Sequence, residues 1–315
     1  MKIGIVGAGA MGGLFGGMLA RAGQDVWLID NHKERAEKIN KNGLIIEESR
    51  PVRVGAPKEE VIRIKVTTDP TEVGSCELAI LLVKAYDTEE ATRNSLPLTG
   101  RRTVWLTLQN GISNIEKMTE ILGKGRVIAG ITYQGATVIE TGRIRHAGYG
   151  KTAIGETNGK LSERVKYISD VFNQAGIDTD ISDNIEGLLW GKLLVNAVIN
   201  PLTAITGIRN GQLLESSYLR EIMKLIVEEA ARVTLRKGIR LPYQKAFEKV
   251  EEECQASRDN ISSMLQDILR EKRTEIDFIN GAIVSEADKI DIPTPLNRAL
   301  WNLVKFLEGR GENVK

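Results

Sequence analysis

The sequence predicts an α/β fold class in which an N-terminal, doubly wound sheet is followed by an all-helical domain. Strand-like apolar runs alternate with helical patterns in the first part of the chain, as in sheets covered by helices on both faces. A glycine-rich segment follows directly after the first of these strands. Strand signals almost vanish after residue 182, so we place the two domains at 1–182 and 183–315.

The individual elements follow from hydrophobic periodicity. Short runs rich in β-branched residues predict strands at 3–6, 26–29, 78–83, 103–106, 127–132 and 152–154. Helical patterns between several of these strands lie at 35–40, 88–95 and 114–122. In the second domain, long helices are predicted at 184–206, 216–237, 243–256 and 260–289.

The glycine-rich segment has the G-x-G-x-x-G spacing between a strand and a helix. We expect Gly7 to permit a tight turn, Gly9 to let the backbone approach a pyrophosphate, and Gly12 to allow close helix–strand packing. The anion would lie on free N–H groups at the helix N-terminus, where the helix dipole favours negative charge. The segment therefore predicts dinucleotide binding by Gly7, Ala8, Gly9, Ala10, Met11 and Gly12.

The end of the second strand bears on which dinucleotide is bound. Asp30 lies 23 residues after Gly7, where a carboxylate can hold the adenosine ribose of NAD and repel the extra phosphate of NADP. His32, Lys33 and Arg35 follow closely and could clamp that phosphate, or form a solvated helix start. The pattern favours NADH at this position without deciding the matter.

Two further strand ends carry polar side chains. Lys84 ends a buried strand and Asn110 ends the next one. In an open α/β sheet, residues at the carboxyl ends of strands line the ligand crevice. Lys84 could pair with a phosphate or carboxylate, and Asn110 could bond to the nicotinamide ribose or to substrate. Ordinary turn chemistry is the alternative for each.

The segment 190–205 is an apolar helical pattern interrupted by Lys192, Asn196 and Asn200. Their spacing of four residues places them nearly above one another on a helix, and we call them the lysine–asparagine stripe. A buried amide or ammonium needs a polar partner. We therefore predict that the stripe faces a bound polar substrate, with a solvated helix face as the alternative.

The segment 260–280 contains a second polar cluster. Ser262 and Ser263 stand where a helix could begin, so N-capping is their simplest role. Glu275 follows in a charged amphipathic run, where a solvated ion pair with a neighbouring basic residue is the simplest interpretation. Periodicity alone does not single out Glu275.

Composition narrows the class of protein. The 315 residues carry 43 basic and 42 acidic side chains, without a basic stripe, so no nucleic-acid partner is expected. No apolar run approaches the roughly 18 residues that span a bilayer, and the N-terminus reads as a strand rather than a signal peptide. Cys76 and Cys254 have no metal-ligand spacing, so neither a metal site nor a disulfide framework is expected. These features favour a cytoplasmic enzyme without membrane partners.

Taken together, the motifs resemble those of the ketopantoate reductase (2-dehydropantoate 2-reductase) family over nearly the whole chain. The resemblance is carried by Gly7-Ala-Gly-Ala-Met-Gly12, Leu82-Val-Lys-Ala85, Gln109-Asn-Gly111, Gly130-Ile-Thr-Tyr-Gln-Gly-Ala136, His146-Ala-Gly-Tyr-Gly150, Ile154-Gly-Glu156, Trp190-Gly-Lys-Leu-Leu-Val-Asn-Ala-Val-Ile-Asn-Pro201, Ser263-Met-Leu-Gln-Asp267 and Arg273-Thr-Glu-Ile-Asp-Phe-Ile-Asn-Gly281. It implies an N-terminal Rossmann domain and a C-terminal helical domain like that of 6-phosphogluconate dehydrogenases.

The resemblance also implies roles. Lys192 matches the general acid, and Glu275 matches a glutamate that contacts cofactor and organises the site. Substrate contacts are implied for Asn110, Lys192, Asn196, Asn200, Asn210, Asn260 and Ser263. Cofactor contacts beyond the glycine-rich segment are implied for Asp30, Asn31, Lys84, Asn110, Ala136 and Glu275. Many family members have an arginine where this chain has Asp30-Asn31. The family implies NADPH as the cofactor, whereas Asp30 favours NADH, and both remain open.

The implied reaction is the reduction of ketopantoate to pantoate with NADPH or NADH, a step of pantothenate and coenzyme A biosynthesis. An NADH-dependent 2-hydroxyacid dehydrogenase acting on another branched or aromatic 2-keto acid is the alternative, which Asp30 favours. A dinucleotide sensor on the same fold is a weaker alternative, because sensing needs no proton donor such as Lys192. A structural oligomer is also a weaker alternative, since no sequence feature favours it. A homodimer formed through the helical domain is left open.

Overall fold

The computed structural model describes residues 1–50 and 58–313. The chain divides into two compact units. Unit 1 comprises Met1–Gln109 and Asn114–Ile185, and unit 2 comprises Asn110–Ser113 and Glu186–Lys315. The short segment Asn110–Ser113 thus belongs to unit 2, although it follows a strand of unit 1. The division of roles between the domains, predicted at residue 182, stays a prediction.

Unit 1 is an α/β unit whose strands and helices alternate along the chain. The described strands are β1 Lys2–Val6, β2 Asp25–Ile29, β3 Leu44–Glu48, β4 Glu59–Ile62, β5 Lys65–Thr67, β6 Cys76–Leu81, β7 Thr99–Thr107, β8 Val127–Thr132, β9 Gly135–Glu140, β10 Arg143–Gly148, β11 Thr152–Glu156 and β12 Thr179–Ile181. The helices are α1 Ala10–Arg21, α2 Lys33–Asn42, α3 Pro70–Val73, α4 Thr88–Asn94, α5 Asn114–Leu122 and α6 Glu163–Gln174.

Eight of the described strands form one sheet in the order β12-β11-β8-β7-β6-β1-β2-β5. All neighbours pair in parallel except β8 and β11. The strand order turns outwards in both directions from β1, which is the doubly wound arrangement of dinucleotide-binding sheets. Each of the six predicted strands lies in this sheet, and the predicted fold class is confirmed.

A second sheet, of the described strands β4, β3, β10 and β9, was not anticipated from the sequence. Its strands are short, and β9 and β10 pair across a two-residue turn with irregular register. The imidazole of His146 on β10 lies 2.9 Å from the carboxylate of Glu48 on β3, so a buried polar pair joins these strands. Alternating patterns this short give little periodic signal, which is why the sequence analysis missed them.

Helix α1 packs between the two sheets. A Cβ on Gly16 would lie 2.6 Å from Leu28 of β2, whereas a Cβ on Gly17 would lie 2.5 Å from Ile46 of β3. Glycines on adjacent positions thus let both sheets approach the same helix. Every residue from 12 to 19 is buried in consequence, and the middle of the helix is held on two sides.

Unit 2 is helical. Its described helices are α7 Ile185–Thr206, α8 Ser217–Arg236, α9 Ala246–Ala256, α10 Ser263–Leu269, α11 Asn280–Asp288 and α12 Pro295–Asn313. Short 3-10 turns cover Asn210–Glu215 and Ile276–Phe278. The core of the unit is built on α7, whose apolar side chains from Trp190 to Leu202 are buried, together with the inner faces of α8 and α11.

The expectation of one long helix over 260–289 is wrong. The Ser262 hydroxyl accepts a hydrogen bond from the Leu265 N–H and caps α10, which ends at Leu269. Glu271 then adopts a left-handed φ of 53°, which a helix interior cannot accommodate. The charged residues 270–275 offer no apolar stripe to extend the helix, and α11 begins only at Asn280.

Helix α7 also corrects the expectation about membrane spans. Among the described residues it is the one helix long and apolar enough to cross a bilayer. Most of its apolar window is buried inside unit 2, however, and Lys192 and two asparagines interrupt it. This combination of burial and internal polar residues is that of a core helix.

Candidate active site

The glycine-rich loop between β1 and α1 has the geometry of a dinucleotide cradle. Gly7 has a φ of +102°, and a Cβ on Gly12 would lie 1.8 Å from the Gly7 carbonyl oxygen, so both positions require glycine. A Cβ on Gly9 meets nothing within 4 Å among the described residues. Gly9 is also the N-cap of α1 and makes no side-chain cap there, so the first N–H groups of the helix suit an anion.

Asp30 is tied to this loop. Its side chain is buried and accepts hydrogen bonds from the Ala8 N–H at 3.2 Å and the His32 N–H at 2.8 Å. The Arg35 guanidinium lies 2.6 Å from the same carboxylate. Arg35 is therefore engaged by Asp30, whereas Lys33 and Asn31 are exposed beside it.

The carboxyl ends of β6 and β7 are joined by Gln109, a residue whose role the sequence analysis missed. Its buried side-chain amide donates to the Val83 carbonyl at 2.8 Å and to the Thr88 hydroxyl at 2.9 Å. Lys84, the predicted crevice residue, follows Val83 and is half-buried. Gln109 stands beside the predicted Asn110 in the sequence. Its hydrogen-bond partners lie more than 20 residues away, so no local pattern indicated its role.

The predicted cofactor contact Ala136 lies in β9 of the smaller sheet rather than at a strand end of the large one. It is half-buried and pairs with His146 of β10. The structure therefore places it on a different layer of unit 1 from Lys84.

In unit 2, the lysine–asparagine stripe lies on α7 as its spacing predicted. Lys192 and Asn196 are half-buried, and Asn200 is buried with 6% of its surface exposed. Their apolar neighbours on the helix are buried. The alternative of a freely solvated helix face is therefore wrong.

The electrostatic setting of Lys192 is unusual. Burial lowers the pKa of its ammonium group from the ordinary 10.5 to about 8, because the charged form loses hydration. The negative charges of Glu275 and, to a smaller extent, Glu253 oppose this change and favour the ammonium. An ammonium group with a pKa of about 8 is able to donate a proton near neutral pH, which is the property that general acid catalysis needs.

Glu275 is buried, with 6% of its surface exposed, so the expectation of a solvated ion-pair partner is wrong. Its carboxylate accepts a hydrogen bond of 3.2 Å from the Asn110 side-chain amide. Residues on either side of Glu275 are hydrogen-bonded to α12. The N–H and hydroxyl of Thr274 both donate to Glu308, and Asp277 accepts from Trp301 at 2.7 Å. Asn110 and Glu275, which lie 165 positions apart in the chain, are thereby brought together. Glu275 is also the residue whose charge most favours the Lys192 ammonium.

The remaining predicted substrate residues lie on neighbouring loops of unit 2. Asn210 is buried, its backbone N–H donates to the Asn260 carbonyl at 3.1 Å, and its amide donates to the Ser257 hydroxyl at 2.9 Å. The side-chain carbonyl oxygen of Asn210 has no hydrogen-bond partner among the described residues. Asn260 and Ser263 are exposed, and it is Ser262, not Ser263, that caps α10.

Unit 1 therefore offers an anion cradle with an acidic residue at its rim, and unit 2 offers a half-buried lysine on the same helix stripe as two asparagines. A dinucleotide-binding fold together with an ammonium group able to donate a proton is typical of nicotinamide-dependent oxidoreductases.

Comparison with known proteins agrees with this class. The family model "Ketopantoate reductase PanE/ApbA" matches residues 3–159, and its C-terminal counterpart matches residues 184–308. The chain belongs to the ketopantoate reductase family, and the resemblance predicted from its motifs is confirmed. A 2-dehydropantoate 2-reductase from Pyrococcus horikoshii is 40% identical over the full length of both chains. One from Archaeoglobus fulgidus is 34% identical over 98% of each.

Solved structures extend the similarity. A ketopantoate reductase from Ralstonia eutropha superposes with a TM-score of 0.90 at 32% identity, covering 99% of this chain and all of the other. D-mandelate dehydrogenase in complex with NADH and anilino(oxo)acetate also gives a TM-score of 0.90, at 28% identity and with full coverage of both chains. Two proteins named for different reactions thus share this architecture.

Proposed function

We propose that this protein reduces the keto group of 2-dehydropantoate to give pantoate. The observation that carries the proposal is Lys192, a half-buried lysine that shares one stripe of α7 with Asn196 and Asn200 and whose pKa is lowered to about 8. The names of the curated relatives, matched over the full chain, support the choice of substrate.

The residues of unit 2 supply acid catalysis and binding. Lys192 would donate a hydrogen bond to the keto oxygen, stabilise negative charge as it develops, and then deliver the proton. Asn196, Asn200 and Asn210 would bond to the keto and hydroxyl groups without adding charge. Ser263, with Asn260 nearby, would bind the substrate carboxylate.

Glu275 has two tasks in this scheme. Its charge keeps Lys192 protonated at neutral pH, against the effect of burial. Its hydrogen bond to Asn110 at 3.2 Å orients an amide that we assign to the nicotinamide ribose or the substrate. Asn110 and Glu275 would therefore act as a pair.

Unit 1 would hold the nicotinamide dinucleotide, which supplies the hydride when bound. The open space beside Gly9 and the uncapped N-terminus of α1 fit a pyrophosphate. Lys84 and Ala136 would contact other parts of the cofactor.

We propose NADH as the preferred form. Asp30 presents a buried carboxylate at the end of β2, and its bond to the Ala8 N–H places that charge at the loop itself. Arg35 is already paired with Asp30, so a 2′-phosphate would have to break that ion pair and approach a carboxylate. The NADH complex of D-mandelate dehydrogenase supports the same choice by similarity.

The test of the function is oxidation of NADH and NADPH with 2-dehydropantoate as the second substrate. We expect turnover with NADH at a higher kcat/KM than with NADPH, and a loss of kcat of at least about 100-fold in Lys192→Ala. Lys224→Ala, which removes an exposed lysine from α8 of the same unit, is the matched control and should behave as wild type. A normal turnover number for Lys192→Ala would contradict the proposed acid.

A second candidate is reduction of an aromatic 2-keto acid, favoured by the full-length similarity to D-mandelate dehydrogenase. The two candidates are separated by kcat/KM for 2-dehydropantoate against that for the keto acid corresponding to mandelate. We expect 2-dehydropantoate to be preferred, and the reverse order would transfer the assignment to the second candidate.

We further propose that the protein acts in the cytoplasm. The burial of α7 in the core of unit 2 and the two buried free cysteines support this location. Cell fractionation with the protein recovered in the membrane pellet would contradict it.

A further inference from the structure

The helix that carries the lysine–asparagine stripe contains a proline. Pro201 lies inside α7, one residue after Asn200. Proline has no N–H, so the carbonyl of Ala197, four residues earlier, loses its helical hydrogen-bond partner. Ala197 is itself fully buried and follows Asn196 directly. A buried carbonyl left without a partner costs free energy and draws in any available donor.

The missing donor comes from another helix. The side-chain amide of Asn280, the first residue of α11, donates to the Ala197 carbonyl at 2.9 Å. The same amide nitrogen donates to the side-chain oxygen of Asn297 on α12 at 3.1 Å. Asn280 and Asn297 are completely buried, so water does not compete for these bonds.

The orientation of both amides is fixed by a buried carboxylate. Glu229 on α8 accepts from the Asn297 side-chain amide at 2.8 Å and from the N–H groups of Leu296 and Asn297 at the start of α12. A carboxylate only accepts, so the Asn297 nitrogen must face Glu229 and its oxygen must face Asn280. The Asn280 nitrogen therefore faces Asn297 and the Ala197 carbonyl. One directional chain of hydrogen bonds runs from Glu229 to the backbone of α7.

We propose that Asn280 is a positioning residue that sets the α7 backbone beneath the lysine–asparagine stripe. This inference rests on the proposed function, in which Asn196 and Asn200 bind the keto acid. Without Asn280, the Ala197 carbonyl competes for the amide donors of Asn196 and Asn200, which flank it in sequence. The loss of affinity is then expected for the keto acid, which Asn196 and Asn200 would bind, whereas the glycine-rich loop proposed to hold the pyrophosphate belongs to unit 1.

The test compares Asn280→Ala with the double variant Pro201→Ala/Asn280→Ala. Alanine at 201 restores an N–H for the Ala197 carbonyl and makes the Asn280 donor dispensable. We expect Asn280→Ala to lower kcat/KM for the keto acid by 10- to 100-fold with NADH affinity within twofold of wild type. The kcat/KM of the double variant should be at least tenfold higher than that of Asn280→Ala. The kcat/KM of Pro201→Ala alone should stay within threefold of wild type.

Two controls separate positioning from general stability. Asn173→Ala in unit 1 removes a side chain that bonds to the Thr179 N–H at 2.8 Å and the Thr179 carbonyl at 2.9 Å. It should lower the melting temperature without changing kcat/KM. Asn280→Asp places a carboxyl group at the same point, and only its protonated form can donate to Ala197. Its activity should therefore recover as the pH falls, relative to wild type.

The outcomes are distinct. Unchanged kcat/KM in Asn280→Ala, or no recovery in the double variant, overturns the proposal. If Asn280→Ala does not fold, the double variant and Asn280→Asp carry the same comparison. If wild type does not reduce 2-dehydropantoate, the proposed substrate fails alone, and the same variants are measured with the 2-keto acid that wild type does reduce.

Discussion

At the scale of single residues, Lys192 combines two opposing electrostatic effects. Burial lowers the pKa of its ammonium group, and the Glu275 carboxylate raises it, with a resulting value of about 8. In the proposed function, reduction of the keto acid consumes the proton that Lys192 carries. The proposed activity therefore requires the ammonium form, which is present below this pKa and is lost above it.

We predict that kcat/KM for keto acid reduction is constant below pH 7 and falls as the pH rises through about 8. Glu275→Gln should move this fall to lower pH, because it removes the larger of the two charges that favour the ammonium. Glu253→Gln is the matched control, with a smaller change in the same direction and the Asn110 bond intact. A pH profile of Glu275→Gln that coincides with wild type would contradict this electrostatic account.

At the scale of elements, the loop between β1 and α1 offers two glycines with opposite surroundings. Gly12→Ala would force a Cβ to 1.8 Å from the Gly7 carbonyl oxygen. We predict a loss of stability of roughly 3 kcal/mol, seen as a lower melting temperature. Gly9→Ala meets no neighbour within 4 Å among the described residues, so it should fold normally and weaken NADH binding by at least about tenfold. Tight NADH binding by Gly9→Ala would show that the pyrophosphate lies elsewhere.

The segment that carries Glu275 depends on α12 for its position. Thr274 is buried, and its N–H and hydroxyl both donate to Glu308 on α12. Glu308→Ala leaves two buried donors without an acceptor, and we predict a loss of about 1–3 kcal/mol together with a lower kcat. Arg298→Ala, also on α12, removes an exposed ion pair with Asp288 of α11 and should cost less than about 1 kcal/mol. Equal effects of the two substitutions on kcat would contradict the role of Glu308.

The elements that could be predicted from sequence are those with strong local periodicity. The six predicted strands of the large sheet and α7 have clear apolar patterns, and their positions are confirmed within a few residues. The small sheet, the parallel edge strands β5 and β12, the helices α3, α6 and α12, and the break between α10 and α11 were missed. Short strands and helix ends depend on tertiary contacts, such as Thr274 with Glu308, that leave no periodic trace.

The candidate site shows the same limit. The lysine–asparagine stripe was visible because its three members share one helix and a fixed spacing. The burial of Glu275 was not, because its partner Asn110 lies 165 residues away. No role was predicted for Asn280 from the sequence, since nothing local connects it with a carbonyl 83 residues earlier. The assigned roles themselves remain predictions for the experiments above.

At the scale of the whole molecule, the burial of the Lys192 ammonium lowers the free energy of unfolding, although the proposed activity requires this group. The lowering of its pKa from 10.5 to about 8 corresponds to about 3 kcal/mol against the charged form in the folded state. The unfolded chain keeps the proton up to its ordinary pKa, so this cost is full below pH 8 and fades between pH 8 and 10.5.

We therefore predict that Lys192→Met is inactive but more stable than wild type at pH 7, by up to about 3 kcal/mol, measured by denaturant unfolding. The gain should shrink as the pH rises above 8, which distinguishes charge burial from better packing. A variant less stable than wild type at pH 7 would contradict the unfavourable burial of this charge. The homodimer that the sequence left open is to be checked by sedimentation of the wild-type protein.

The placement of α1 between two sheets has a consequence for amide hydrogen exchange. Residues 12–19 are all buried, so no face of this helix can open to solvent by fraying alone. Its amide protons should exchange only when unit 1 unfolds as a whole, and their rates report the global free energy of that unit. The helix proposed to receive the dinucleotide is therefore also the slowest-exchanging helix expected in unit 1. Its protection factors would measure cofactor affinity and unit stability in one experiment.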